Sequence, residues 1–353
     1  MAARSAAQDR VQAVKITSLS DLEEVLSRPA EADRDAMRRL GGDLLVLGAG
    51  GKMGPSLARR ALRAAREAGV NRRVIAVARF STPGVREDLE KDGIETLTVE
   101  LLDELQLAAL PEAPNIIFMA ARKFGSTADE PYTWAMNTYL PGRVADRFRH
   151  SRIVAFSSGN VYPLVPVLSG GATEATPVGP VGEYAISALG RERMFAHFSR
   201  LYGTPVTLLR LNYAVELRYG VLLDIGQKVF ERRPVDLAMG GANVIWQGDA
   251  NSICLQSFAL CASPPAVLNV TGPETLSVRQ VARRFGEIFG VEVELSGEES
   301  PAALLSNAAR CFRLFGYPSV SVDQAIEWTA DWIGMGGATL GKPTHFEVRD
   351  GKF

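Results

Sequence analysis

The stretch Asp43–Gly69, DLLVLGAGGKMGPSLARRALRAAREAG, decides the fold. Its run Leu44-Leu45-Val46-Leu47 is apolar without alternation, the pattern of a strand buried on both faces, and it stops at Gly48. A helix follows. Pro55 suits a first helical turn, where its missing N–H costs nothing, and Leu57, Ala61, Ala65 and Ala68 recur at helical spacing, with Arg59, Arg60, Arg63 and Arg66 expected mostly outward. Gly69 ends it. Between strand and helix, Gly48, Gly51 and Gly54 form a G-x-x-G-x-x-G pattern that permits a tight turn, close backbone approach to a ligand and close packing of helix on strand. The helix N-terminus then offers N–H donors and a positive dipole end to a pyrophosphate. A glycine triplet by itself also suits a sharp corner; the buried strand before it and the helix after it favour the dinucleotide.

The 353 residues suffice for one large α/β unit with an appended lobe, or for two intimately packed domains. With 39 basic and 40 acidic residues the net charge is −1, which gives no electrostatic reason to expect nucleic acid or an anionic membrane as partner. A small-molecule substrate is the default. Three cysteines (Cys254, Cys261 and Cys311) make neither a metal cluster nor a disulfide framework, as expected of buried structural thiols in a reducing compartment. No metal is expected. The first residues carry no hydrophobic signal core and no apolar run has the length of a membrane span, so the expected location is cytoplasmic.

Residues 1–42 precede the first strand as a helical accessory segment. Ser20 is placed to cap a short helix with Leu22, Val25 and Leu26 as its apolar positions, and a second helix is expected over 31–40. Covering a sheet edge, contacting a second subunit in a homodimer, or standing solvated all suit this segment. Apolar runs at 73–80, 94–99, 115–121, 152–157 and 206–211 then alternate with helical patterns at 85–91, 132–149 and 184–201. This is the pattern of an α/β doubly wound parallel sheet, a Rossmann fold, with its ligand crevice at the carboxyl ends of the strands. Residues 43–211 make up the nucleotide-binding domain and 212–353 a smaller mixed substrate-binding region, which returns to the sheet around 267–270. Helices are expected over 277–289 and 323–332, and the turn-rich tail from Gly334 is expected to be irregular.

Taken in order, these residues resemble an extended short-chain dehydrogenase/reductase of the NAD-dependent epimerase/dehydratase family, over roughly residues 43–332. Gly48, Gly51 and Gly54, with Lys52 and Met53 between them, match the family's nucleotide loop. Glu100-Leu101-Leu102-Asp103 is similar to the adenine-contacting segment after the third strand, with Glu in the usual Asp position. Met119, Ala120 and Ala121 match the segment that lines the cofactor after the fourth strand, Lys123 falls where some members place a phosphate- or ribose-contacting lysine, and Asn137 falls on the family's helix asparagine. Ser157-Ser158-Gly159-Asn160-Val161-Tyr162 resembles the serine signature, which implies that Ser158 contacts the reacting oxygen. The resemblance implies an NAD(P)-dependent oxidoreductase or epimerase/dehydratase-like enzyme acting on a hydroxylated, carbohydrate-derived small molecule.

One departure matters. The family's Y-x-x-x-K motif matches Tyr184-Ala185-Ile186-Ser187-Ala188, so the tyrosine implied as acid/base stands without its lysine. Lys123, Arg191 two helical turns beyond Tyr184, and the positive charge of an oxidised nicotinamide are the candidate replacements; Lys123 is the first choice, and Arg191 also suits a solvated position. A non-catalytic dinucleotide-binding sensor or assembly subunit is the alternative that the missing lysine supports. Asn160, Asn212, Arg218 and Trp246 are candidates for the substrate pocket. At the end of the second strand Ala78-Arg79 replaces the acidic residue that usually meets the adenosine ribose, so Arg79, aided by Lys52, is expected to favour NADP over NAD. Arg79 stacked on adenine or left in solvent is the other possibility.

Overall fold

The computed structural model describes residues 15–123, 125, 128–342 and 344–352; residues 1–14, with which the accessory segment begins, lie outside them. Seven strands form one sheet: β1 (Leu44–Leu47), β2 (Val74–Ala78), β3 (Glu95–Thr98), β4 (Asn115–Phe118), β5 (Arg152–Ser158), β6 (Val206–Leu211) and β7 (Ala266–Val270). Their order is β7-β6-β5-β4-β1-β2-β3, and every neighbouring pair is parallel. The chain steps outward from β1 to β3 and then returns beside β1 as β4. This leaves a switch point between β1 and β4, where the loops diverge and a crevice opens.

The absence of alternation in β1 has a direct cause. Leu44 and Val46 enter one apolar core and Leu45 and Leu47 another, on the opposite face of the sheet. Helices cover both faces, so no residue of the strand meets water.

The accessory segment is docked onto this framework. Helices α1 (Leu19–Ser27) and α2 (Glu31–Arg39) pack on α3 (Gly54–Glu67), the helix that follows the glycine loop. Ser18, rather than Ser20, caps α1 by accepting from Asp21 N–H. Leu22 and Leu26 are buried with Trp246, Trp328 and Trp332. The arginines of α3 accordingly do not face solvent as a group. Arg60 is buried against Asp33 at 2.6 Å, while Arg59 and Arg63 reach Glu23 and Glu24 of α1. The polar stripe of α3 is thus a docking face for α1 and α2, a use of arginine that periodicity alone does not separate from solvation.

The helix expected over 132–149 forms over 130–147 with a π turn inside it. Glu130–Trp134 is α-helical, Ala135–Tyr139 is a π turn, and α4 (Leu140–Arg147) resumes the α geometry. Pro141 has no N–H to return to the carbonyl of Asn137 four residues back, and the wider turn turns the Asn137 side chain inward. Against it lies the long helix α5 (Gly182–Tyr202), brought close at Gly190, where a Cβ would stand 2.4 Å from Thr138 Oγ1.

Beyond β6, the region that reads as loosely organised in sequence carries α6 (Val221–Phe230), α7 (Gln247–Gln256), α8 (Val278–Phe289) and α9 (Val322–Gly334). Helices α6, α8 and α9 enclose a third apolar core, and β7 returns to the sheet edge beside β6 as its sequence predicts. The tail is irregular but not detached: Phe346 is buried in that third core. All three cysteines are free thiols. Among the described residues no helix is long and apolar enough to cross a membrane, and no cluster of His, Cys, Asp or Glu is arranged to hold a metal.

Candidate active site

The three loop glycines serve different needs. Gly48 has φ +92°, and a Cβ there would lie 2.6 Å from Ala120 N, so the exit of β1 can pass β4 only as glycine. At Gly54 a Cβ would come within 2.3 Å of Ala49 O, which would push α3 off the loop. Gly51 is different. Its Cβ would meet only Gly48 O, at 3.4 Å, an ordinary contact. The protein itself leaves that space open, next to the N-terminus of α3, where a dinucleotide's pyrophosphate fits.

The loop forms one wall of a cavity of about 320 Å³ at the switch point. Of the residues singled out in sequence, Gly48, Gly51, Lys52, Met53, Met119, Ala121, Lys123, Ser158, Asn160, Tyr184 and Asn212 line it. Gly54 and Ala120 stand behind the loop. Glu100 and Leu101 lie past β3 at the far side of the sheet, where Asp103 caps the next short helix. Trp246 packs edge-on against Trp328, and Arg218 is bound to Glu216 and Glu23, so neither reaches the cavity.

Ser158 ends β5 and caps the 3₁₀ turn Gly159–Val161; its Oγ accepts from Asn160 N–H at 3.2 Å. Tyr184 sits in the first turn of α5, 9% exposed, and the two hydroxyl residues share the cavity. A buried network fixes the elements that carry them. Glu192 accepts from Ser157 Oγ at 2.5 Å and from both Nε and Nη2 of Arg210, at 3.0 and 2.7 Å, and Arg210 also donates to Tyr162 at 2.7 Å. Strand β5, helix α5 and strand β6 are thereby clamped beneath the site.

The position of the missing lysine is closed. Ala188 is fully buried against Val161, Tyr162 and Ala172. Arg191, which the sequence also allowed as a solvated residue, is 2% exposed and lines the cavity. Its guanidinium donates to Phe156 O and Asn137 Oδ1, both at 2.9 Å, and its Nε has no protein acceptor. Burial holds its pKa below the ordinary arginine value, while Tyr184 and Glu192 oppose that shift, so the charge lies within electrostatic reach of the phenol. Asn137 does not enter the cavity. It exchanges hydrogen bonds with the Arg122 backbone, donates to Ser187 Oγ and presents its carbonyl oxygen to Arg191.

Lys123 donates to Thr344 O at 3.2 Å, bringing the tail into the site, and its ammonium lies 6.0 Å from the centre of the Tyr184 ring. Lys52 is not beside Arg79. It reaches in the other direction, donating to Ala214 O at 2.6 Å with its ammonium 4.4 Å from the Tyr219 ring centre. Desolvation lowers both lysines, each to about 8. Arg79 stays at the outer end of β2, exposed, with Glu100 at 3.5 Å and the Tyr132 hydroxyl at 3.3 Å. Thr344 and Tyr219 are pocket residues that no local pattern marks, although Gly220, with φ +141°, gives the segment beside Tyr219 a special shape.

Strand order, glycine loop and cavity together define a Rossmann-type dinucleotide-binding fold. Residues 44–215 match the model of the NAD dependent epimerase/dehydratase family. Among solved structures, a UDP-glucose 4-epimerase from Thermotoga maritima with UDP-glucose superposes with TM-score 0.70 at 17% identity, covering 83% of this chain and 99% of its own. A Thermus thermophilus UDP-glucose 4-epimerase complex with NAD gives 0.69 at 19% identity, over 84% and 100%. A UDP-glucuronic acid 4-epimerase from Bacillus cereus, in complex with UDP-glucuronic acid and NAD, gives 0.69 at 17%, over 83% and 99%. At these identities the likeness carries the fold. No curated protein matches the chain in sequence.

Proposed function

We propose that the protein is an NAD(P)-dependent oxidoreductase or epimerase of the extended short-chain dehydrogenase type, acting on a hydroxylated, carbohydrate-derived small molecule. The observation that carries this is the meeting of Ser158 and Tyr184 in the cavity whose other wall is the glycine loop, with the space at Gly51 left open. Gly48, Gly51 and Met53 would hold the dinucleotide, with Met119 and Ala121 along its flank and Lys123 near its ribose or phosphates. A bound nicotinamide supplies the hydride acceptor or donor. Ser158 orients the substrate oxygen, and Tyr184 exchanges its phenolic proton with that oxygen as the carbinol or carbonyl changes state.

Arg191 supplies the positive charge that Ala188 cannot. Its guanidinium stays protonated at any working pH, and Phe156 O and Asn137 Oδ1 hold it in one orientation. A pure binder has no use for two hydroxyls and a buried cation in the same cavity. That combination favours the enzyme over the sensor or assembly subunit.

For the cofactor we favour NAD in place of NADP. Glu100 beside Arg79 neutralises the cation expected to meet a 2′-phosphate and would repel that phosphate itself, and Lys52 lies elsewhere.

The test is Tyr184→Phe, which removes only the hydroxyl. Nicotinamide absorbance is followed with a panel of sugars and sugar acids. Turnover should fall by ~10²–10⁴-fold with cofactor affinity retained; full kcat in the variant would refute the role of Tyr184.

A further inference from the structure

Three cations, Lys52, Lys123 and Arg191, line the cavity, and no aspartate or glutamate is among its described lining residues. Arg191 is accounted for by Phe156 O and Asn137 Oδ1, and Lys123 stands at the cofactor end of β4. Lys52 has no such role. Its backbone belongs to the glycine loop, yet its side chain turns away from the N-terminus of α3 toward the segment beyond β6, where the Ala214 carbonyl and the Tyr219 ring receive it. No carboxylate among the described residues makes an ion pair with it. Glu216, the acid that attracts it most, is already paired with Arg218, while Arg218 and Lys123 repel it and Asp224 attracts it from behind Thr344. A carbonyl uses one of three ammonium donors, and a desolvated cation without a counter-ion is costly unless a ligand brings the charge.

We propose that Lys52 seats an anionic group of the substrate, so that the molecule presented to Ser158 and Tyr184 is an acidic carbohydrate, a sugar acid or sugar phosphate, and not a neutral sugar. This rests on the oxidoreductase reading above and names its substrate class. A pyrophosphate oxygen of the dinucleotide is the competing anion. The position of the ammonium beyond β6, away from the α3 N-terminus where a pyrophosphate sits, favours the substrate.

The experiment is a calorimetric titration of the full chain, first with NAD and then, at saturating NAD, with D-glucuronate, D-galacturonate and glucose 6-phosphate against D-glucose and D-galactose. At least one anion should bind about tenfold or more tighter than its neutral counterpart, the scale of one charge-assisted hydrogen bond, and whether an acid or the phosphate does so distinguishes the two sources. Lys52→Met should abolish that preference while NAD affinity stays within about twofold. In the wild type, where no change of fold intervenes, the preference should fade as pH is raised through about 8 and the ammonium deprotonates. Equal binding of anions and neutral sugars, or a preference that survives Lys52→Met, overturns the inference. So does a tenfold loss of NAD affinity in the variant, which assigns Lys52 to the pyrophosphate. A wild type that does not bind NAD at all overturns the cofactor reading instead.

Discussion

The two ends of the crevice treat charge in opposite ways. At the outer end of β2, Arg79 and Glu100 meet at 3.5 Å with their side chains 57% and 37% exposed. Such a pair is worth about 0–1 kcal/mol and is screened by salt. At the inner end, Lys52, Lys123 and Arg191 line a cavity with no acid among its described lining residues, held by carbonyl oxygens, an amide oxygen and an aromatic face. An exposed charge pair costs the fold little and says little about function. Desolvated cations gathered beside two hydroxyls cost it a good deal, which is why the proposed chemistry is argued from the inner end.

The largest test of this contrast after Tyr184 itself is Arg191. Arg191→Met removes the two charge-assisted hydrogen bonds to Phe156 O and Asn137 Oδ1, the latter keeping Arg122 N–H, and such bonds are worth about 1.5–3 kcal/mol each. A fall in melting temperature is therefore expected along with a fall in kcat. Arg191→Lys separates the two roles: it restores a cation with fewer donors, so part of kcat should return and the basic limb of the pH–rate profile should lie closer to that of the wild type than in Arg191→Met. Identical profiles for the two variants would reduce Arg191 to a packing residue. Restoring the family motif with Ala188→Lys is not the complement of this test, because Ala188 lies fully buried against Val161, Tyr162 and Ala172.

A smaller effect separates the inner lysines from the fold. Lys52 titrates at about 8 in the folded chain against 10.5 unfolded, so between those values the unfolded chain binds more protons and stability rises with pH. Below about pH 8 the full penalty is present. Lys52→Met should therefore raise the melting temperature of the ligand-free protein at neutral pH, by an amount corresponding to on the order of 1–3 kcal/mol after solvent screening, and the gain should vanish toward pH 10.5. A variant destabilised at neutral pH would show that Lys52 supports the fold.

The smallest effect belongs to the outer end. With Glu100 beside it, Arg79→Ala should change the ratio of NAD to NADP affinity by less than about fivefold, within the range of a surface ion pair. Parallel titrations of both dinucleotides would measure it. A wild-type preference for NADP that collapses in Arg79→Ala would restore the 2′-phosphate contact and weaken the contrast between the two ends.

What was legible in the sequence follows the range of the interactions involved. Leu44–Leu47, the glycine triplet and the strand–helix alternation are local signals, and each element forms where its own residues require it. Side-chain direction is not local. Arg60 turns inward because Asp33, 27 residues earlier, is buried beneath it, and Lys52 turns across the site to a carbonyl 162 residues later. Periodicity describes a face of a helix; it does not say what packs there. Arg191 shows the same limit, since spacing placed it on the face of Tyr184 but its partners, Phe156 O on β5 and the Asn137 side chain turned inward on its π turn, lie far away in sequence. Thr344 comes from a tail whose composition shows turns and nothing else, brought in by a hydrogen bond to Asp224 at 2.8 Å.

The most direct measurement is calorimetric titration of NAD into the wild type and into Gly51→Val, with circular dichroism confirming that the variant is folded. A Cβ at Gly51 meets the protein only at Gly48 O, 3.4 Å away, whereas at Gly54 it would lie 2.3 Å from Ala49 O. Gly51→Val should fold and lose at least about tenfold in NAD affinity, because the added side chain fills space that only the ligand uses, while Gly54→Val should damage the fold itself. Equal NAD affinity in a folded Gly51→Val protein would contradict the assignment of the glycine loop, and with it the site built around that loop.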